Sequence, residues 1–143
     1  MMMRLSPTLS CLLLATTLAA CSHAPSGGGA ARPATIQAIG NAQRIDDVVS
    51  RLEAGDRQSA EKALKQMVKA DPADRASAAL LESMTADPTA LLGAKSFAYR
   101  VQPGDRLVDL SRRYLGDRLK FYALARYNGI AVPASLKAGQ TIR

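Results

Sequence analysis

Tryptophan is absent from this chain, histidine occurs once, and cysteine twice, at Cys11 and Cys21. The single imidazole, His23, sits in a stretch of Ser, Gly, Ala and Pro and reads as solvated spacer rather than ligand or base. Only three glutamates are present, Glu53, Glu61 and Glu82, each on a short amphipathic segment. The residues that hydrolytic sites use, a Cys/His pair, a zinc-binding His set or a Glu of raised pKa, are therefore not assembled here. No stretch reaches the roughly 18 consecutive apolar residues that a membrane-spanning helix needs. At 143 residues the chain has room for one ordinary domain or two very small ones. The expectation is a protein without catalytic residues, cofactor or metal.

The N-terminus carries Arg4, an apolar stretch from Leu9 to Leu18, and the small residues Ala19 and Ala20 before Cys21. That order is a secretion signal. The Leu18-Ala19-Ala20-Cys21 segment resembles a bacterial lipobox. The resemblance implies removal of residues 1–20 together with Cys11, and acylation of Cys21, palmitate-type chains included. The mature chain would then have no thiol free for a disulfide or a thiolate metal site. More than one acyl chain gives stable anchoring where one gives marginal binding, each buried CH₂ contributing about 0.8 kcal/mol. Ser22, rather than Asp, follows the acylated cysteine, and resemblance to enterobacterial-type lipoproteins then implies an outer-membrane, periplasm-facing location where the organism has an outer membrane.

Residues 21–39 are expected to form the acylated Cys and a disordered tether, because SHAPSGGGAARPAT offers almost no large apolar group to offset the entropy of ordering. Residues 40–92 read as a small all-α region. Ile45, Val48, Val49 and Leu52 recur on one helix face, and Gly55-Asp56 ends that segment while opening the next. Ala60, Ala63, Leu64, Met67 and Val68 mark a second helix, stopped by Asp71-Pro72, where Asp71 also caps a third. Ala76, Ala79, Leu80 and Met84 mark that third helix, ending at Thr85-Ala-Asp-Pro88. Residues 54–72, AGDRQSAEKALKQMVKADP, resemble one tetratricopeptide-type hairpin, with Ala60, Leu64 and Met67 at the helix contact and Pro72 closing it. Asp47 and Arg51 stand where that family places large apolar groups. A single repeat does not bury a solenoid core, so a partner helix or a dimer is expected to supply the missing face. A simple spacer bundle is the equal alternative.

The basic charge is not spread evenly. Residues 22–96 carry nine Lys plus Arg against nine Asp plus Glu, whereas 97–143 carry nine against three. All six aromatic residues, Phe97, Tyr99, Tyr114, Phe121, Tyr122 and Tyr127, also fall in the last segment. Within it, Phe97, Tyr99 and Val101 alternate with Ala98, Arg100 and Gln102 as in a half-buried strand. Pro103-Gly104 turns the chain, and Asp105 is placed to cap a helix with Leu107, Val108, Leu110, Ser111 and Tyr114 on its apolar side. Gly116 ends that helix; Asp117 caps another, built on Leu119, Phe121 or Tyr122, Leu124 and Ala125, and stopped by Asn128-Gly129. Ala138-Gly139 leads into a last extended run. The order is strand, helix, helix, strand, and the fold class of the whole is α+β.

The runs YRVQPGDRLVDLSRRYLGD, KFYALARYN and VPASLKAGQTIR resemble the lysin motif (LysM) across residues 97–143. The resemblance implies a βααβ domain whose two loops hold N-acetylglucosamine-containing glycan, the first being Gly104, Asp105, Arg106 and Leu107, the second Gly129, Ile130, Ala131 and Val132. Backbone groups in such loops suit the acetamido group, and Leu107, Ile130 and Val132 its methyl and sugar face. For Leu107 and Ile130, core filling is the equal alternative; Asp105 has the alternative of a plain cap. Arg106 stands where Thr is common and Val108 where an aromatic is frequent. The last strand stops at Arg143, where the family usually continues by a residue or two of Ile-Pro type, which leaves open whether the chain is a truncated form of something longer. Arg106, Arg112, Arg113, Arg118, Lys120 and Arg126 would attract the carboxylates of peptidoglycan stems, or simply form a solvated basic face.

Export excludes nucleic acid as a partner. The expected function is a non-catalytic envelope lipoprotein, bound to a membrane through Cys21 and to peptidoglycan through the 97–143 segment. The competing expectation is an adaptor whose helical region recruits an envelope protein, with the C-terminal segment only localising it.

Overall fold

A computed structural model of the chain describes residues 34–143. The signal segment, Cys21 and His23 lie outside the described residues. Four helices come first: α1 (Ala34–Glu53), α2 (Arg57–Ala70), α3 (Arg75–Thr85) and the short α4 (Pro88–Leu92). Strand β1 (Tyr99–Arg100), helix α5 (Leu107–Leu115), a 3₁₀ turn (Arg118–Lys120), helix α6 (Phe121–Tyr127), a second 3₁₀ turn (Pro133–Ser135) and strand β2 (Thr141–Ile142) complete the chain.

α1 starts at Ala34, inside the stretch that composition assigns to the tether. From residue 39 on, Ile39 is more than half exposed and Ile45 is the first buried side chain. Its predicted face, Ile45, Val48, Val49 and Leu52, is buried throughout. Asp56 caps α2 by accepting the Ser59 N–H at 3.1 Å, as the Gly-Asp pair implies. α3 is capped by Asp74, which accepts the Ala76 N–H, rather than by Asp71, whose carboxylate instead accepts the Ala73 N–H in the turn. α4 is an addition to the expected helices, although Asp87-Pro88 is a cap followed by proline at the first helical position; Asp87 accepts the Ala90 N–H at 2.7 Å.

The main departure from expectation concerns the face of the helical region that one repeat leaves uncovered. No second copy is needed to cover it: α3 and α4 pack against the 3₁₀ turn and α6 of the C-terminal segment. Ser77 and Ser83 on α3 are fully buried with Leu80 and Met84. The Ser83 hydroxyl accepts the Ala123 N–H of α6 at 2.9 Å, and Arg126 donates to the Ala86 carbonyl at 2.6 Å. One continuous apolar cluster runs from Ile45 through Leu64 and Leu80 to Phe121 and Ile142. Burying a side chain the size of Phe121 or Leu80 stabilises by about 1.5–3 kcal/mol, so each half contributes to the stability of the other.

β1 and β2 form an antiparallel pair, Tyr99 opposite Ile142 and Arg100 opposite Thr141. The pairing extends to Val101, whose N–H donates to Gln140 and whose carbonyl accepts from Gly139, both at 2.8 Å. Phe97, predicted to begin the strand, is exposed and meets Tyr114 edge-on, with ring centroids 5.4 Å apart. Asn128 fastens the far end of β2: its Oδ1 accepts the Arg143 N–H at 2.7 Å while its Nδ2 donates to the Arg143 and Leu124 carbonyls.

Candidate functional site

The first loop leaves β1 through Pro103-Gly104, and Gly104 has φ +86 with open space where a side chain would begin. Asp105 does not cap α5. Its Oδ2 accepts the Tyr99 hydroxyl at 2.7 Å and the Gln102 N–H at 2.8 Å, and the capping position belongs to Arg106, which makes no side-chain cap bond. The carboxylate is turned back toward β1, where two donors converge, and so it braces the turn instead of the helix. The Gln102 N–H, with the Tyr99 hydroxyl second, holds the Asp105 carboxyl below its ordinary range. The same hydrogen bond, with desolvation behind it, pushes the Tyr99 phenol up to about 12.

Leu107 is 1% exposed, a placement that favours core filling over ligand contact. Val108, the other departure from the motif, is buried as well.

The second loop begins at the end of α6. Gly129, at φ +66, donates to the Arg126 carbonyl, and Ile130 donates to Ala125 at 2.8 Å. These two bonds are a Schellman ending, which requires a left-handed residue at this position and accounts for the glycine. Ile130 is half-buried against the core, Ala131 is exposed, and Val132 is 38% exposed. Gly129, like Gly104, has open space around the position of an added Cβ.

Both loops touch one feature that the motif does not announce, the corner between α1 and α2. Glu53 pairs with Arg106 of the first loop at 2.5 Å. A Cβ added at Gly55 would stand 3.1 Å from a methyl of Val132 in the second. Gly55-Asp56 carries a helix-break signal, and nothing local in it indicates what the corner abuts.

The basic residues are not a uniform field. Arg118 pairs with Asp46 of α1 at 2.8 Å, Arg112 with Asp109, Arg106 with Glu53, and Arg126 donates to the Ser83 carbonyl in α3 and the Ala86 carbonyl just after it. Glu53 holds the Arg106 guanidinium above its ordinary range, first by hydrogen bond and then by charge. Arg113 lies 5.9 Å over the Tyr114 ring. The excess positive charge of the C-terminal segment is thus partly matched by acids of the helical region.

A separate groove of about 270 Å³ lies away from both loops, lined by Phe97, Tyr99, Tyr114 and Tyr127 with Lys95 and Arg143 among its polar neighbours. None of the eight loop residues borders it. Among the described residues, no three His, Cys, Asp or Glu side chains gather in a group able to hold a metal ion.

Two helices against a two-stranded antiparallel ladder, with glycine-containing loops after β1 and after α6, define a small βααβ binding module. The family model of the LysM domain matches residues 99–143, and that segment is a LysM domain, a class that binds peptidoglycan-type, N-acetylglucosamine-containing glycan. The chain is also similar to an uncharacterized protein of Deinococcus radiodurans, 38% identical over 45 residues, which are 32% of this chain and 18% of that relative. The similarity therefore covers less than a fifth of the relative's length. No solved structure matches the chain.

Proposed function

We propose that this chain is a non-catalytic envelope lipoprotein that holds N-acetylglucosamine-containing peptidoglycan in the groove between Gly104–Leu107 and Gly129–Val132, with acylated Cys21 binding it to a membrane, the outer one where two are present. The observation that carries the reading is the LysM match over 99–143 together with two loops whose glycines leave their backbone groups approachable. Uncharged acetamido sugars suit such a surface, because loop N–H and C=O groups supply directional bonds while Ile130 and Val132 offer apolar contact. The pairing of Arg106, Arg112 and Arg118 with nearby acids leaves less of a role for charge attraction to peptide stems.

Sedimentation of the mature chain with insoluble peptidoglycan tests the glycan half of the reading. A point change is preferable to removing 97–143, since that deletion would expose the helical core. Ala131→Arg adds a long side chain at an exposed loop position and is expected to weaken binding by roughly tenfold or more. Unchanged sedimentation of this variant would move the binding surface elsewhere. Cys21→Ala is expected to release the protein from membranes, and retention of that variant would count against the lipid anchor.

An adaptor role stays the second reading. It is supported by a surface groove between α1 and α2, with Val48, Ala63 and Met67 among its lining residues and Arg44, Asp47 and Arg51 along one side.

A further inference from the structure

The groove of about 270 Å³ that lies away from both loops is formed where the link from α4 to β1 meets the ends of α5, α6 and β2. Its walls are aromatic. The Tyr114 ring stands 5.4 Å from that of Phe97 and 5.3 Å from that of Tyr99, inclined to both, and Tyr127 completes the lining. Phe97 is 58% and Tyr114 46% exposed, although Leu124 and Ile142 of the same groove belong to the core. Leaving two such rings in water forgoes the gain from burying them, and a ligand seated in the groove would realise it.

The charge around these rings is of one sign. No Asp or Glu lines the groove, whereas Lys95 and Arg143 do. Neither cation enters an ion pair with an acidic side chain among the described residues. The Arg143 guanidinium lies 5.9 Å over the Tyr127 ring, and that of Arg113 lies 5.9 Å over Tyr114. Arg106, Arg112 and Arg118, the residues expected to attract peptide-stem carboxylates, are each held by an acid instead. Positive charge without an acidic partner is thus found beside a concavity that is also aromatic. Its volume is at the small end of ligand pockets, roughly 300–1,000 Å³, which suits a short extended group better than a helix or a flat membrane surface.

Resting on the peptidoglycan reading above, we propose that this groove is a second binding site, for the peptide stem of the wall polymer: its small alkyl side chains lie against Phe97, Tyr114 and Tyr127, and its carboxylates pair with Lys95 and Arg143. The polymer presents two chemistries. A neutral acetamido sugar calls for directional bonds from loop backbone, whereas an alkyl group beside a carboxylate calls for apolar rings beside a cation. The two loops suit the first and the groove suits the second.

Three soluble probes test this by titration calorimetry of the full mature chain: a neutral N-acetylglucosamine oligomer, a peptidoglycan fragment bearing its stem peptides, and the same fragment with the stems removed. Phe97→Ala and Lys95→Glu alter exposed side chains, so the fold should tolerate both. Each is expected to weaken binding of the stem-bearing fragment by about fivefold and to leave the other two probes unchanged. The Lys95→Glu loss should shrink as salt is raised. Wild-type affinity of both variants for the stem-bearing fragment would overturn the inference, and continued binding of the oligomer would leave the glycan reading intact. An equal loss on all three probes would make the groove a neutral-sugar site and overturn it as well. Groove-dependent binding of the stem-bearing fragment without any binding of the oligomer would support the groove and remove the glycan reading at the loops. Binding of none of the three by wild type would remove both.

Discussion

The helical region and the LysM segment differ in where their information lies. In residues 99–143 most residues that carry the resemblance act on their own neighbourhood: Asp105 braces the turn three residues behind it, and Gly129 ends the helix it follows. In residues 34–92 the periodic apolar faces are equally local, but the residues that give the region its place in the molecule act at long range. Ser83 caps a backbone N–H forty residues away, and Glu53 reaches an arginine fifty-three residues on. A motif written in short-range contacts can be recognised in sequence; an interface written in a buried serine and a corner glycine cannot.

The contrast accounts for what was legible. The order strand–helix–helix–strand, the helix faces of α1 and α2, and the stops at Gly116 and Gly129 follow from periodicity and capping chemistry, which are properties of a few adjacent residues. The single core joining the two halves was not legible, because it includes polar side chains that no apolar periodicity marks: Ser77 and Ser83 are fully buried, and Ser83 bonds to α6. Asp105 departs from its expected role for a related reason. An Asp at a helix start normally caps it, and only the position of Tyr99 across the turn reveals the stronger claim on its carboxylate. Of the candidate site, the two loops could be placed from the motif, whereas the corner that faces them could not.

The proposition that two dissimilar halves share one core can be broken most directly at Leu80. This side chain is fully buried in the helical half, and Leu80→Ala should cost about 2–5 kcal/mol in denaturant unfolding. All tyrosines lie in the C-terminal half and there is no tryptophan, so tyrosine fluorescence reports on that half alone. The fluorescence and helical circular-dichroism transitions should shift together; a fluorescence curve that stays in place would separate the halves.

Ser83→Ala comes next. It deprives the buried Ala123 N–H of its acceptor, with an expected loss of about 1–3 kcal/mol by the same measurement. A neutral result would mean that α6 finds another acceptor and that the interface is looser than its geometry.

A smaller effect sharpens the local side of the comparison. Tyr99, with its phenol pushed up to about 12, should titrate well after an ordinary tyrosine in ultraviolet absorbance, and Asp105→Asn should bring it down toward about 10. Because the Asp105 carboxyl is depressed in the folded state, its contribution to stability is present above about pH 4 and is lost as the pH falls through the folded value. Wild type should lose that increment in acid, and the Asn variant should show no matching step.

The smallest effect belongs to the Arg118–Asp46 pair between the halves. Its side chains are 36% and 61% exposed, so a double-mutant cycle should return about 0–1 kcal/mol, falling with salt. A larger coupling would mean that charge matching, and not the shared core, joins the halves.

The Asn128 clamp on the end of β2 bears on how the molecule ages. Asn followed by Gly is the pair most prone to spontaneous loss of its side-chain amide, a reaction in which the next backbone nitrogen attacks the side-chain carbonyl carbon. Here that nitrogen, on Gly129, is engaged with the Arg126 carbonyl at 3.1 Å, and the Asn128 amide is bound at both its oxygen and its nitrogen. The native fold therefore acts as a preservative for a residue that the unfolded chain would lose. Once Asn128 has become a carboxylate, it can no longer donate to Arg143 and instead sets a negative charge beside that carbonyl. Each episode of unfolding thus exposes the protein to a lesion that weakens the next refolding, and time spent unfolded is recorded covalently at a single position.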